Sequence, residues 1–246
     1  KTLGGLYTMK TNILVLLAGQ SDHKCQDSNF PFYLSEMEVI FLLKKIVTNT
    51  CEISSVSYTF ALLDKNIERF YLDKIACLVT PTATVIRTLE GTRGSAPIAL
   101  LAASQFEQDT SLLIVDANEP VDINFSEVVN NFRRRNLDAG ALAFRSVHLC
   151  CSYVCLNDKN LVTKVKQQDL IIHHTTNVFW FARVQDFVES TKSLIRKNAN
   201  AEGKFYIALT LNELILQQAR VGVYEIDLHK YKALKPACQI SGYVRV

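Results

Sequence analysis

Glycine is scarce in this chain, nine among 246 residues, about half its usual share of roughly 7%. Few positions are therefore free for the close backbone approach that glycine-rich ligand loops use. No Pro/Gly/Ser-rich stretch, internal repeat or low-complexity tract interrupts the sequence, which argues against linker-joined domains and for one continuous unit. Long apolar runs are missing as well. The longest, residues 13–18 and 112–115, fall far short of the ~20 residues needed to span a bilayer. Neither sign of charge dominates: Lys and Arg number 27 against 24 Asp and Glu, a net +3, too little for a nucleic-acid footprint. The seven cysteines, at 25, 51, 77, 150, 151, 155 and 238, contain no C-x-x-C pair. Their odd number and scatter disfavour a disulfide framework or a zinc ribbon, and reduced thiols in a cytoplasm are the simplest expectation.

The chain does have enough apolar residues for a packed core, 48% against 21% charged. Residues 1–8 are expected to be an appended remnant or disordered, with Met9-Lys10 as the natural start and one domain over 9–246. Residues 12–18 form an unbroken apolar run closing on Gly19, the pattern of a strand buried on both faces. Ser35 followed three residues later by Glu38 has capping-box spacing and predicts a helix beneath Val39, Ile40, Leu42, Leu43, Ile46 and Val47. Strands are expected over 54–62, 76–80 and 112–115, and helices over 67–72, 95–106 and 125–136. Arg133 to Arg135 end the last helix, where they read as solvated charge matched to the helix dipole. From residue 139 onward strands crowd together, at 139–145, 152–156, 161–165 and 176–181. Two helices over 184–196 and 207–218 and a strand over 221–226 follow.

This alternation predicts an α/β fold with a mostly parallel central sheet, helices on both faces and extra strands in the second half. Such sheets bind ligands beyond the carboxyl ends of their strands. Residues 19–26 and 116–121 lie at that edge, so a nucleotide or sugar is expected there.

Leu16-Leu-Ala-Gly19, Gly91-Thr-Arg-Gly-Ser-Ala-Pro-Ile-Ala-Leu-Leu-Ala102, Leu112-Leu-Ile-Val-Asp-Ala-Asn118, Ser152-Tyr-Val and Gly203-Lys-Phe-Tyr-Ile-Ala-Leu-Thr-Leu-Asn-Glu-Leu-Ile215 together resemble the sugar-1-phosphate nucleotidyltransferases. The resemblance spans residues 10–235 and is closest to members from capsule and surface-polysaccharide loci, whose fold is glycosyltransferase-A-like. It implies attack of a sugar phosphate, or another phosphorylated small molecule, on the α-phosphorus of a nucleoside triphosphate. Pyrophosphate would leave, with Mg²⁺ as the cofactor. It also allows a homo-oligomer.

The resemblance assigns nucleotide binding to Ala18, Gly19, Gln20, Ser21, Gly94 and Ser95. It gives the catalytic basic positions to His23 and Lys24, the metal to Asp116 and Asn118, and the acceptor to Gln167, Asn177 and Glu213. Several motif positions differ from the family. Ser21 stands at the second loop glycine, His23 at an arginine, Phe32 at a phosphate-binding lysine and Asn118 at an aspartate, while Gln167-Gln168 replaces a Glu-Lys pair and Leu234-Lys-Pro-Ala-Cys238 replaces a late motif. A neutral His cannot match a bidentate, permanently charged Arg, although Lys24 offers a point charge.

Two other readings accompany this one. In the first, the chain has lost catalysis and serves as a binding or assembly partner. In the second it is a glycosyltransferase, with Asp116-Ala-Asn118 standing for an Asp-x-Asp metal motif whose second carboxylate is replaced. The remaining conspicuous residues read as structural. His173 and His174 are adjacent on a strand and face opposite ways, Cys150, Cys151 and Cys155 read as buried thiols, Trp180 reads as sheet core, and Glu213 reads as a tie between the late helix and the sheet.

Overall fold

The computed structural model describes residues 9–17, 36–145, 152–167 and 173–231. The expected remnant at 1–8, the loop residues from Ala18 to Lys24, Phe32, Ser35, Cys150, Cys151, Gln168 and the 234–238 segment lie outside the described residues. The first strand, β1 (Thr11–Leu17), is buried along its whole length, as its uninterrupted apolar run requires. It is followed in chain order by α1 (Glu36–Thr50) and β2 (Val56–Leu63).

Two short helices come next, α2 (Asp64–Phe70) and α3 (Leu72–Val79), divided by Tyr71 in the left-handed region at φ 51°. This corrects the strand expected over 76–80. The apolar run there is helical: Leu72, Ile75 and Ala76 are buried at helical spacing while Cys77 and Leu78 are exposed, and a short apolar run does not reveal its period. The strand lies further on, at β3 (Thr84–Thr88), where only Ile86 and Thr88 are buried.

After β3 come α4 (Ser95–Ala103), β4 (Ser111–Asp116), α5 (Phe125–Arg134) and β5 (Ala139–Arg145). The Asn124 side chain caps α5 by accepting from the Ser126 amide at 2.8 Å. A hairpin of β6 (Ser152–Leu156) and β7 (Val162–Gln167) leads to β8 (His173–Phe181), then to α6 (Val184–Arg196), α7 (Ile207–Leu216) and β9 (Val221–Ile226).

The main sheet has the order β3-β2-β1-β4-β8-β5-β9. All its neighbours pair in parallel except β8, which runs against both β4 and β5. Successive residues of each strand enter opposite cores. Leu14, Leu16, Leu112, Ile114, Phe179 and Phe181 meet α4, α6 and α7 on one face. Ile13, Val15, Leu113, Val115, Val178 and Trp180 meet the α1, α3 and α5 side on the other. Each such buried side chain contributes about 1.5–3 kcal/mol of hydrophobic stabilisation. Trp180 stacks on Phe132 of α5 with ring centroids 5.7 Å apart, so it is sheet core.

The reading of Arg133 to Arg135 as solvated charge is corrected in two of its three residues. Arg134 is exposed. Arg133 donates to Thr11 Oγ1 at 3.0 Å and Ser111 Oγ at 3.3 Å, hydroxyls that are themselves 2.9 Å apart. Arg135 donates to the Val223 carbonyl at 2.7 Å and the Asn160 carbonyl at 2.9 Å. Burial pulls both guanidinium groups below their ordinary pKa, helped at Arg135 by neighbouring Arg220. A helical period places these residues at the end of α5 but does not show that strand ends lie beneath them.

Candidate functional site

The order of the sheet creates one crevice. The connection after β1 leads outward to β2, whereas β4 lies on the other side of β1 and its connection leads away in the opposite sense. The strand order therefore reverses between β1 and β4, and parallel sheets bind ligands beyond their carboxyl ends at such a point. Leu16 pairs with Asp116 across this junction. The expected phosphate-loop residues Ala18, Gly19, Gln20, Ser21, His23 and Lys24 follow β1 but lie outside the described residues.

Asp116 and Asn118 form a tight turn at the crevice. Asp116 Oδ1 accepts from the Asn118 backbone amide at 2.9 Å and from its side-chain nitrogen at 2.8 Å, the arrangement of an Asx turn. Both residues are partly exposed, while Ala117 between them is buried. With its nitrogen engaged, Asn118 presents its side-chain carbonyl as the atom able to meet a cation.

The antiparallel pairing of β4 with β8 stops one residue short of Asn177. Leu112 pairs with Phe181 and Val115 with Val178, so Asp116 and Asn177 are each the residue next after the last pair. Between Ala141 and Ala143 the β5–β8 register shifts, and beyond this bulge β8 takes β6 as a partner, with His174 opposite Tyr153. The β6–β7 hairpin thus rises from the sheet just past the end of β4. Gln167, at the end of β7, pairs with Ser152, whose carbonyl accepts from the Thr175 hydroxyl at 3.2 Å. Asp116 and Asn118 thus close β4, while Asn177 lies on β8 and Gln167 at the end of β7.

Gly94 and Ser95 sit at the start of α4, on the same edge, and are tied to α7. The Phe205 carbonyl accepts from the Ala96 amide at 3.0 Å, and the Phe205 amide donates to the Arg93 carbonyl at 2.8 Å. Ser95 Oγ accepts from the Ile207 amide, the first of α7, at 3.4 Å. Gly94 has φ +101°. The exposed Arg93 side chain stacks over the Phe205 ring at 5.3 Å and donates through Nε to the Gly203 carbonyl at 2.9 Å.

Glu213 ties α7 to the α6 side, not to the sheet. Its carboxylate accepts from Ser193 Oγ of α6 and from Nζ of Lys197, the residue that caps α6, each at 2.7 Å, and the residue is 5% exposed. Burial pushes this carboxyl up, but the two hydrogen bonds outweigh it and hold the group below the usual glutamate range. Its neighbour Asn212, which sequence reasoning did not single out, reaches β7. Asn212 Oδ1 accepts from the Val165 amide at 2.8 Å, and Nδ2 donates to the Val165 carbonyl at 2.8 Å.

The donors at the crevice fit one kind of metal site. Among the described residues no three His, Cys, Asp or Glu side chains group to enclose an ion, so a protein-caged metal is not offered there. One carboxylate and one amide carbonyl suit an ion held mainly by water and substrate phosphates, as Mg²⁺ usually is. His173 approaches Glu225 at 3.7 Å and His174 stacks on Phe144 at 6.0 Å, so the two rings point apart. Cys51 and Cys77 are exposed and Cys155 is partly buried, all unpaired. A cavity of about 590 Å³, lined by Glu127, Asn130, Asn131, Arg133, Arg134 and Tyr224, lies along α5 instead of at the crevice. Among the described residues no helix is long and apolar enough to cross a membrane.

Solved structures share this architecture. The nucleoside-diphosphate-sugar pyrophosphorylase from Vibrio cholerae RC9 superposes with a TM-score of 0.71 at 16% identity, covering 91% of this chain and 96% of that one. The chain has the same fold. The inositol-1-phosphate CTP transferase from T. maritima gives 0.65 at 15% identity, covering 90% and 87%. HddC from Yersinia pseudotuberculosis gives 0.60 at 10%, covering 90% and 91%. No family model matches the sequence, and no curated protein sequence does.

Proposed function

We propose that the protein transfers a nucleotidyl group from a nucleoside triphosphate to a phosphorylated small molecule, a sugar phosphate used in surface-polysaccharide synthesis. The observation that carries this reading is the Asp116–Asn118 turn at the strand-order reversal, on a fold shared with a sugar pyrophosphorylase and a CTP transferase. The acceptor's phosphate oxygen attacks the α-phosphorus, the bond from that phosphorus to the bridging oxygen breaks, and pyrophosphate leaves. Catalysis of this kind consists mainly of positioning and charge neutralisation.

In this reading the triphosphate lies along the end of β1, with Ala18, Gly19, Gln20 and Ser21 around its phosphates and Gly94 and Ser95 on the base side. Lys24 supplies positive charge beside His23. Asp116 and Asn118 would hold Mg²⁺, which when bound neutralises phosphate charge. The acceptor lies between Asp116 and the β6–β7 hairpin, where Asn177 and Gln167 orient it.

Calorimetric titration with each nucleoside triphosphate, with and without Mg²⁺, tests the reading. One triphosphate should bind only with Mg²⁺, Asp116→Ala should abolish that binding, and addition of a sugar phosphate should release pyrophosphate. No heat and no thermal stabilisation with any triphosphate overturns it. The neutral Asn118 favours a second reading, a protein that binds without turnover, since an amide holds Mg²⁺ less strongly than a carboxylate. That reading expects triphosphate binding with no pyrophosphate release from any acceptor.

A further inference from the structure

The two bonds between Asn212 and Val165 give one side chain the hydrogen-bonding pattern of a strand. β7 is the outer strand of the hairpin, paired among the described residues only with β6, and its outward N–H and C=O groups would otherwise form an open edge. At Val165 an amide side chain satisfies both groups at 2.8 Å, and Val165 itself is buried. The helix that carries Asn212 is fixed at two other places. Its first amide donates to Ser95, at the start of α4, and Glu213 anchors it to Ser193 of α6 and to Lys197, which caps α6. α7 therefore bridges the α4 loop on one side of the crevice and the hairpin on the other. Val165 is two residues from Gln167, where β7 ends.

We infer that Asn212 is a positioning residue, through which α7 holds the β6–β7 hairpin in register with the α4 loop and so shapes the acceptor side of the site. The acceptor role rests on the proposed transfer reaction, whereas the hold on the hairpin rests on the geometry alone. Asn212 touches no substrate in this scheme and acts only through β7.

Asn212→Leu removes both bonds at similar volume, and Asn212→Ser serves if that variant fails to fold. Ser193→Ala, which loosens α7 from α6 without touching Asn212, is the control. Hydrogen exchange should accelerate in β6 and β7 of the Asn212 variants and remain unchanged in β1, β2 and β4. With the triphosphate that the wild-type protein uses, KM for the sugar phosphate should rise about tenfold, the scale of the lost hydrogen bonds, while the Kd for the triphosphate stays the same. The control should lower Tm without moving that KM. Unchanged exchange, acceleration spread evenly through the sheet, or KM and Kd rising together overturns the inference. If the wild-type protein releases no pyrophosphate with any substrate pair, the transferase reading and the acceptor role fall together, and the exchange result alone decides the hold on the hairpin.

Discussion

Gly94 passes so close beneath Phe205 that a Cβ added to it would lie 2.4 Å from the Phe205 carbonyl oxygen and 2.8 Å from its nitrogen. The contact is backbone on backbone, so no side-chain rotation relieves it. A glycine at this position is needed for packing α4 against the segment leading into α7, whatever ligand binds nearby.

Gly94→Ala should accordingly destabilise the protein by at least about 2 kcal/mol, combining the clash with the cost of a positive φ. Gly91→Ala is the matched comparison: its φ is +83°, but nothing lies within 4 Å of the added Cβ, so only the backbone cost of about 1 kcal/mol applies. Urea denaturation of both variants checks the ranking, and equal losses would contradict it.

Arg133 joins the end of α5 to the first residues of β1 and β4 through Thr11 and Ser111. Arg133→Met keeps much of the aliphatic stem and leaves the two hydroxyls bonded to each other, so a loss of about 1–2 kcal/mol is expected. Arg133→Ala also removes packing and should cost about 1 kcal/mol more. Thermal melts of the two variants distinguish packing from hydrogen bonding.

Asn118→Asp replaces a donor to Asp116 with a second negative charge. Without divalent cations the variant should lose about 1 kcal/mol of stability, from the lost hydrogen bond and like-charge repulsion. With Mg²⁺ it should recover, and under the proposed function its triphosphate affinity should exceed the wild-type value by about tenfold. Melting curves with and without Mg²⁺, followed by calorimetry, measure both effects. A variant that Mg²⁺ fails to restore would argue against a cation between these residues.

Glu213 makes stability depend on acid. An unperturbed glutamate titrates near ~4.3, and Glu213 in the folded protein lies below its ordinary value. Its stabilisation is therefore complete above the unfolded-state pKa and is lost as the pH falls through the folded-state one. At neutral pH Glu213→Gln should be less stable by about 1–3 kcal/mol. That gap should narrow on acidification from about pH 5 downward. Urea midpoints across this range are the measurement, and a gap that stays constant would exclude the ion pair as its source.

Much of the architecture is legible in the sequence because strands buried on both faces leave unbroken apolar runs, as β1 and β4 do. The edge strand β3 leaves no such run, since only Ile86 and Thr88 are buried, and the apolar segment before it belongs to α3. At the site, Asp116 is legible because an acidic residue closing a buried strand marks a carboxyl end. Asn177 is named through the resemblance alone, and the paired register of β4 with β8 stops one residue before it. Asn212 is silent in sequence: an asparagine within a leucine-rich helix means nothing until the outer edge of β7 lies against it. Glu213, adjacent to it, draws attention by its charge but faces α6.

The reversed strand β8 also sets the timetable of synthesis. β4 has no neighbour on one side until residues 178–181 exist to pair with it, and β5 waits for the same segment. At about 5–20 residues per second, the ~65 residues from the end of β4 to the end of β8 take roughly 3–13 s to emerge. Throughout that interval the nascent chain carries a bare, apolar β4 edge, and this is when a chaperone would find most to bind.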